Sequence, residues 1–301
     1  MQIFNSLNEN KGLSIALGFF DGVHLGHQAV IKSAVDFAKK HNSKSAVITF
    51  QDHPHCFFHD LNPEYIIKRK EKIDLIEKLG IDYLYFIKFD EKLANLSAEN
   101  YLKDILIKNF EPIAISTGFN HTFGAKKTGD VNLLNEKQTT YNYQYFEIPP
   151  VIQDNEIISS TTIRKKLAQG EIKEVNKMLG YTYGLEETVV YGQQLGRKLG
   201  FKTANIIYPK NLITPKNGVY SALVKYKGIT YKAVANNGTR PTIDKNLPQI
   251  LEVHILEFDE NIYGEKLEVR FLDKIRSEKQ FENLDELKAQ IQKDVKFVEK
   301  Q

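Results

Sequence analysis

The sequence predicts two domains of different class: an α/β domain built on a parallel sheet, then an antiparallel β-barrel with a terminal helix. In the first half, apolar strand-like runs alternate with helix-patterned segments, an order typical of a parallel sheet covered by helices. Near residue 183 this pattern gives way to short strand-like runs separated by glycine and proline, which favours a barrel. With 301 residues the chain is long enough for two domains, and we place them at residues 1–183 and 184–301.

The first domain is predicted from five apolar runs and the helical segments between them. The predicted strands are residues 13–19, 44–50, 81–86, 113–116 and 143–148. The predicted helices are residues 25–40 and 66–79, a helix after the N-cap candidate Ser97, and residues 161–169 and 171–179. Because ligands of parallel sheets bind at the carboxyl ends of the strands, we expect functional residues in the loops that follow them.

The second domain is predicted from shorter apolar runs with glycine or proline between them. Its predicted strands are residues 187–191, 219–226, 230–236, 250–258 and 266–272. A helix over residues 284–298 follows, and it carries Leu287, Ile291 and Val295 on one face.

Composition and charge narrow the class of protein. Cys56 is the one cysteine, so no intrachain disulfide can form and a reducing compartment is expected. The N-terminal residues are polar, and no apolar run reaches the roughly 18 residues of a membrane-spanning helix. The formal net charge of +3 comes without the clustered basic face of a nucleic-acid-binding protein. We therefore expect a soluble, cytoplasmic protein that binds neither nucleic acid nor membranes.

The segment 18–27 joins the first predicted strand to the first predicted helix and contains a histidine pair. His24 and His27 are three residues apart at the helix start, and Gly26 between them lets a ligand approach the backbone. Free N–H groups at a helix N-terminus and two imidazoles can all donate hydrogen bonds to phosphate oxygens. The alternative is a helix start with two exposed histidines, but the pattern at this junction favours a nucleotide phosphate site.

A second hydroxyl-rich segment, residues 158–164, also precedes a predicted helix. Ser160 and Thr161 taken alone are best explained as ordinary helix capping. Arg164 in the first turn opposes the helix dipole, which is better explained if an anion binds there. The arginine could then hold a departing pyrophosphate through a two-pronged contact.

Two further patterns are weaker. His53, His55, Cys56 and His59 have spacing similar to that of a transition-metal site, but no second ligand pair is visible, so a polar loop over the nucleotide pocket is preferred. Gly192, Gly196 and Gly200 recur every four residues, with Arg197 and Lys198 among them. This spacing fits either a flexible hairpin or a flap that approaches the phosphates of ATP.

The histidine pair and the segment 159–164 together resemble the signature pair of the nucleotidyltransferase superfamily. Residues 20–28, residues 118–124 and Gly129-Asp130 resemble the FMN adenylyltransferase module of bacterial bifunctional FAD synthetases. The resemblance implies a Rossmann-like nucleotidyltransferase domain with catalytic histidines. It implies that ATP is contacted by the following residues: Gly18, Phe20, Asp21, Gly22, Gly26, Asn120, Ser160, Thr161 and Arg164. It also implies that His53 and Pro54 contact flavin, although Asp52 stands where the family usually has proline.

The second domain resembles riboflavin kinases, and the whole resemblance covers about residues 12–295. Residues 200–206 resemble the family's Pro-Thr-Ala-Asn motif, which implies that Thr203 and Asn205 hold Mg²⁺ and ATP. Lys202 replaces the proline, so the rigidity that proline would give this loop is missing. Three more segments match: residues 236–242, a strand carrying Glu252, and residues 275–281. The last of these resembles a flavin-contacting segment, which implies that Arg276 binds flavin.

The resemblance implies a bifunctional riboflavin kinase and FMN adenylyltransferase. ATP is the co-substrate of both reactions, Mg²⁺ is the cofactor, and riboflavin, FMN and FAD are the flavin ligands. Glu252 would accept the proton of the riboflavin 5′-hydroxyl, whereas a strand glutamate without this context would be taken as an outward-facing surface residue. Two alternatives stay open: a chain that retains one of the two activities, or a flavin-sensing binding protein. The oligomeric state is left open too.

Overall fold

The computed structural model describes residues 1–7, 10–58, 64–192, 196, 199–238 and 249–301. The chain divides into two compact units, Met1–Ser160 and Thr161–Gln301. The predicted fold class is confirmed, because the first unit holds a parallel sheet with helices and the second a closed antiparallel barrel with a terminal helix. The boundary placed between residues 183 and 184 stays a prediction.

The first unit is built on a six-stranded parallel sheet with the strand order β1-β4-β3-β2-β5-β6. Its strands are β1 (Gln2–Phe4), β2 (Leu13–Leu17), β3 (Lys44–Phe50), β4 (Tyr83–Ile87), β5 (Ala114–Gly118) and β6 (Gln144–Ile148). All five residues of β2 are buried, as expected for a central strand covered on both faces. The order of the strands reverses between β2 and β5, and such a switch point opens a crevice at the carboxyl ends of the strands.

Helices of the first unit connect these strands. They are α1 (Leu25–Lys40), α2 (Pro54–Phe58), α3 (Arg69–Lys78), α4 (Glu91–Ala94), α5 (Ala98–Asn100), a π-helix (Tyr101–Ile107), α6 (Lys108–Phe110), a 3₁₀ turn (Ala125–Lys127) and α7 (Val131–Tyr141). Ser97 is the N-cap of α5, as predicted, and its hydroxyl accepts the N–H of Asn100 at 3.2 Å. A short antiparallel pair, β7 (Ile152–Gln153) and β8 (Glu156–Ile157), follows the sheet.

The second unit contains a six-stranded closed barrel with the order β10-β13-β12-β11-β14-β9. Its elements are α8 (Ser160–Gln169, from Thr161 onward), α9 (Ile172–Leu179), β9 (Gly184–Val190), β10 (Ala204–Ile207), β11 (Gly218–Tyr226), β12 (Ile229–Gly238), β13 (Ile250–Ile255), β14 (Lys266–Arg276) and α10 (Leu284–Glu299). All six strand pairs are antiparallel, so every barrel strand is hydrogen-bonded on both sides.

The terminal helix α10 packs on the outside of this barrel. Val298 is buried in a small cluster with Val219 and Val234, and Val295 packs against the same cluster. Leu287 and Ile291 line a cavity beside β13. The apolar face predicted for this helix is therefore the face turned to the barrel. Within the described ranges, none of the helices combines the length and apolar character needed to span a bilayer.

Candidate active sites

His24 is the N-cap of α1, at the carboxyl end of β2. Its Nδ1 accepts the N–H of His27 at 3.3 Å, and the two imidazole rings stack with centroids 3.5 Å apart. Because Nδ1 is an acceptor here, neutral His24 carries its proton on Nε2. Histidine is an uncommon N-cap residue, since serine, threonine, aspartate and asparagine are preferred. Capping alone therefore does not explain this residue.

The backbone before His24 is strained. Phe20 has φ 56° and Val23 has φ 37°, in the left-handed region that β-branched and bulky residues avoid. Asp21 is 4% exposed, and its carboxylate oxygens each lie 3.1 Å from the N–H of Ile66. Strain of this kind persists only where the surroundings enforce it, and it is concentrated at functional sites.

Two of the predicted glycines allow neighbouring side chains to pack directly against the backbone of this turn. A Cβ on Gly26 would lie 3.2 Å from the His24 ring, and one on Gly22 would lie 3.1 Å from Ile66. Ser160 reaches the same turn, because its hydroxyl donates to the Asp21 carbonyl at 3.0 Å. The turn and Ser160, predicted from separate motifs, are therefore in contact.

Loops after β3 and β5, the two strands that flank β2, reach the same edge of the sheet. Gly118 ends β5, and Asn120 follows it in an exposed loop. His53 and Pro54 follow β3, and the His53 ring lies 4.6 Å from the ring of Phe19 in the 18–24 turn. Because β2, β3 and β5 are adjacent and parallel, their carboxyl ends bring these predicted residues to one edge.

Thr161 and Arg164 lie at the start of α8 within the second unit, where Thr161 is exposed and Arg164 half-buried. In the histidine-rich loop, His53 and His55 pack edge to face at 4.8 Å, and Cys56 contacts the Tyr65 hydroxyl. No group of three or more potential metal ligands is found among the residues that the structure describes. His59 lies outside those residues.

Two buried basic groups of the first unit were not predicted. Lys72 on α3 donates from its Nζ to the Phe19 carbonyl and to the Thr49 hydroxyl, and burial lowers its pKa to about 7. Burial also lowers the pKa of His121 to about 4, so this imidazole is neutral at ordinary pH. Both follow from tertiary burial. His121 lies within the matched segment 118–124 but was not singled out there, and no sequence pattern marks Lys72.

In the second unit, Glu252 on β13 lies in a row of polar residues across three strands. Its ladder partners are Asn205 on β10 and Asn236 on β12. Asn205 is 4% exposed, and a Cβ on Gly192 would lie 2.4 Å from its side-chain amide. Glycine at 192 therefore allows the chain to pass directly over Asn205.

Two cavities of the second unit meet at Thr203. Cavity A is lined by Lys202, Asn205, Asp259 and Tyr263, and Thr203 is part of its wall. Cavity B is lined by Glu252, His254, Arg276 and Phe281, and Thr203 lines it as well. Thr203 therefore borders two spaces, and each space is lined by a different set of the predicted site residues.

Arg276 at the end of β14 is fixed on the wall of cavity B. Its Nη2 lies 2.8 Å from Oδ2 of Asp294, which is 3% exposed on α10. Gln290 donates to the same carboxylate at 2.9 Å. Asp294 was missed by the sequence analysis, although an acidic residue within the apolar face of the predicted helix was a visible signal.

The glycine-rich segment is described in part. The Gly196 carbonyl accepts the N–H of Phe201 at 2.8 Å, and Gly200 has φ 91°, which favours glycine. Arg197, Lys198 and the predicted loop residues 239–242 lie outside the described residues.

Comparison with known proteins gives the same two-part division. The family described as FAD synthetase matches residues 6–162, and the family described as riboflavin kinase matches residues 179–301. A relative from Buchnera aphidicola, named bifunctional riboflavin kinase/FMN adenylyltransferase, is 37% identical over 99% of this chain and 96% of its own length. A relative of the same name from Haemophilus influenzae is 36% identical, with 98% and 97% covered.

A solved structure supports the fold over the whole chain. It is named Macrolide-efflux Protein from Streptococcus pneumoniae, is 29% identical and has a TM-score of 0.90, with 99% of each chain covered. Its name describes that protein, whereas both family matches and the full-length relatives agree on flavin enzymes. The chain belongs to the family of bifunctional riboflavin kinases/FMN adenylyltransferases.

Proposed function

We propose that the second unit phosphorylates riboflavin where cavities A and B meet. We propose that the first unit adenylylates FMN at the turn of residues 18–24, called the His24 turn below. The observation that carries the kinase assignment is the position of Thr203 on both cavities. Phosphoryl transfer needs a nucleotide and an acceptor alcohol in line at one point. Cavity A would take ATP and cavity B riboflavin, with the transferred group between them at Thr203.

In the kinase step, the riboflavin 5′-oxygen forms a bond to the γ-phosphorus of ATP, and the bond from that phosphorus to the β-phosphate oxygen breaks. ADP leaves, and Glu252 accepts the hydroxyl proton. Arg276, oriented by Asp294, would hold the flavin in cavity B. The Thr203 hydroxyl and the Asn205 amide oxygen are hard oxygen donors that fit Mg²⁺. Magnesium bound there would supply neutralisation of the phosphate charge.

In the adenylylation step, a phosphate oxygen of FMN attacks the α-phosphorus of a second ATP, and pyrophosphate leaves. His24 and His27 would donate hydrogen bonds to the phosphate oxygens as negative charge develops. Support comes from the stacked histidines at a helix start, from the strained turn beside them and from the contact of Ser160 with that turn. His53 and Pro54 are proposed to contact FMN, and Asn120 to contact ATP. The pyrophosphate roles of Thr161 and Arg164 and the cytoplasmic location stay predictions.

The test is to incubate the purified chain with riboflavin, ATP and MgCl₂ and to separate the flavins by chromatography over time. FMN should accumulate first and FAD later, and FMN supplied in place of riboflavin should give FAD. A flavin-sensing binding protein would leave riboflavin unchanged, and a chain with one activity would stop at FMN or would act only on supplied FMN.

A further inference from the structure

Phe201, Lys202 and Thr203 form an irregular stretch directly before β10. The ladder between β10 and β13 begins at Ala204, opposite Val253. Thr203, which the proposed function places at the point of phosphoryl transfer, therefore lies just outside the register of the barrel. The position of its hydroxyl depends on what fixes this stretch.

His254 fixes the backbone of the stretch from β13. Its ring Nδ1 lies 2.8 Å from the Lys202 carbonyl oxygen, so Nδ1 carries the proton and donates it. The same ring packs edge to face against Phe201, with centroids 5.4 Å apart. His254 stands two residues after Glu252 on the same strand, so both side chains project from the same face of β13.

Asp259 fixes the side chain of Lys202. Its carboxylate forms an ion pair with the Lys202 ammonium, and both residues line cavity A. Both partners are largely exposed, so this pair contributes less than the backbone contact from His254. Lys202 is therefore held through its carbonyl and through its ammonium. These two contacts restrict a segment that a proline at 202 would have restricted through its fixed φ.

We propose that His254 and Asp259 are positioning residues of the kinase site, which hold the backbone at Lys202 so that Thr203 presents its hydroxyl to the ATP phosphates. The inference rests on the proposed kinase function. A Mg²⁺ site tolerates little departure from octahedral geometry, so a Thr203 displaced by a loosened backbone binds Mg²⁺ and ATP more weakly. The effect should appear in the KM for MgATP more than in the KM for riboflavin.

The test compares His254→Phe with His254→Asn in the full chain. Phenylalanine keeps a ring beside Phe201 but has no donor, whereas the asparagine amide can place an N–H near the position of Nδ1. Initial rates of FMN formation at varied MgATP should give a KM raised roughly 10-fold for His254→Phe, the loss of about one hydrogen bond. His254→Asn should recover most of that loss. Asp259→Asn should raise the same KM about 2-fold. Glu257→Gln, which neutralises an exposed carboxylate two residues away that lines neither cavity, should leave it unchanged.

Conversion of supplied FMN to FAD, measured on the same preparations, should match wild type in all four variants. An unchanged KM for MgATP in His254→Phe, or equal values for His254→Phe and His254→Asn, would overturn the inference. So would a rise confined to the KM for riboflavin, since His254 also lines cavity B. Failure of the proposed function itself would look different, because wild type would then form no FMN.

Discussion

Lys72 places an amine in the interior of the first unit, where its residue is 6% exposed. Its Nζ lies 3.0 Å from the Thr49 hydroxyl and 4.2 Å from the centroid of the Phe19 ring, and it donates to the Phe19 carbonyl. Burial lowers the pKa from 10.5 to about 7, although the charge of Asp21 acts in the opposite direction. The amine thus holds the backbone of Phe19, which lies in the His24 turn, through a hydrogen bond. Burial of the amine away from water opposes this stabilisation, because the charged form loses its hydration.

This pKa predicts a pH dependence of stability. Between pH 7 and pH 9 the unfolded state, with a Lys72 pKa near 10.5, binds more protons than the folded state. Stability therefore rises with pH across this window, by at most about 1.4 kcal/mol per pH unit. Urea unfolding of wild type and Lys72→Met at pH 7, 8 and 9 should show that the variant loses this slope. Lys78→Met, an exposed site on the same helix, should keep it. Equal slopes in all three proteins would contradict the buried amine.

The contrast between His24 and Lys72 shows what the sequence could predict at this scale. The histidine pair was predicted as a site because its spacing and its place at a strand–helix junction are local features. Its role stays a prediction. Lys72 was not found, because an exposed and a buried lysine on a helix have the same local sequence signal. Burial of a charged group is decided by tertiary packing, which residue patterns do not record.

Helix α10 joins the barrel to the wall of cavity B through an ion pair whose carboxylate is buried and whose guanidinium is partly exposed. Arg276 at the end of β14 and Asp294 on the helix form three contacts of 2.8–3.2 Å. Removing one partner of a fully buried pair typically costs about 3–5 kcal/mol, and the lower end applies here because Arg276 keeps some contact with solvent. The pair therefore links the stability of the helix contact to the orientation of Arg276 in the proposed flavin site.

A comparison of single and double variants separates the stability of the helix contact from the orientation of Arg276. Asp294→Ala should destabilise the chain by about 3 kcal/mol and raise the KM for riboflavin, because Arg276 loses its fixed orientation. Arg276→Met with Asp294→Leu should recover most of the stability but not the KM. Asp285→Ala, at an exposed position of the same helix, should change both by little. Unfolding free energies and initial rates of FMN formation measure this, and a double variant with wild-type KM would exclude Arg276 from the flavin site.

Most of the longer elements could be predicted, and two of those missed have physical reasons. β2 to β6 match predicted apolar runs within a few residues, because buried parallel strands read as continuous apolar segments. β10 was missed because it has four residues and carries the buried polar Asn205. α7 was missed because Leu134 is its one buried residue among those described, which leaves no apolar stripe.

The start of one predicted strand shows why boundaries shift. β9 begins at Gly184, earlier than the predicted start at residue 187. A Cβ at 184 would lie 1.9 Å from the Val269 carbonyl oxygen, so a residue with a side chain could not occupy this position. Glycine there permits the close ladder contact with β14, which opposes Arg270 to Gly184. A rule that treats glycine as a strand breaker misses this use of it.

At the scale of the whole chain, α9 belongs with the barrel. Asn176 on α9 donates to the Phe271 carbonyl at 2.9 Å and accepts the N–H of Tyr183 at 2.7 Å. Val175, Met178 and Leu179 on the same helix are buried. A barrel fragment that lacks this helix should therefore be less stable than one that retains it.

Two fragments test this organisation. Residues 161–301 should form FMN from riboflavin and no FAD. Residues 184–301 lack α9 and should unfold at a lower temperature. Thermal unfolding and flavin chromatography of both fragments measure this. FAD formed by either fragment would contradict the division of the two reactions, and equal unfolding temperatures would show that α9 is dispensable for the barrel.

The most direct test of the account is to measure both reactions on one variant, Glu252→Gln. Glutamine keeps the size of glutamate but cannot accept the hydroxyl proton, so FMN formation from riboflavin should fall by about 10²-fold or more. FAD formation from supplied FMN should stay at the wild-type rate, because that reaction needs no alcohol deprotonated and is proposed for the other unit. A natively folded variant in which riboflavin phosphorylation is unchanged, or in which both reactions fall together, would contradict the account.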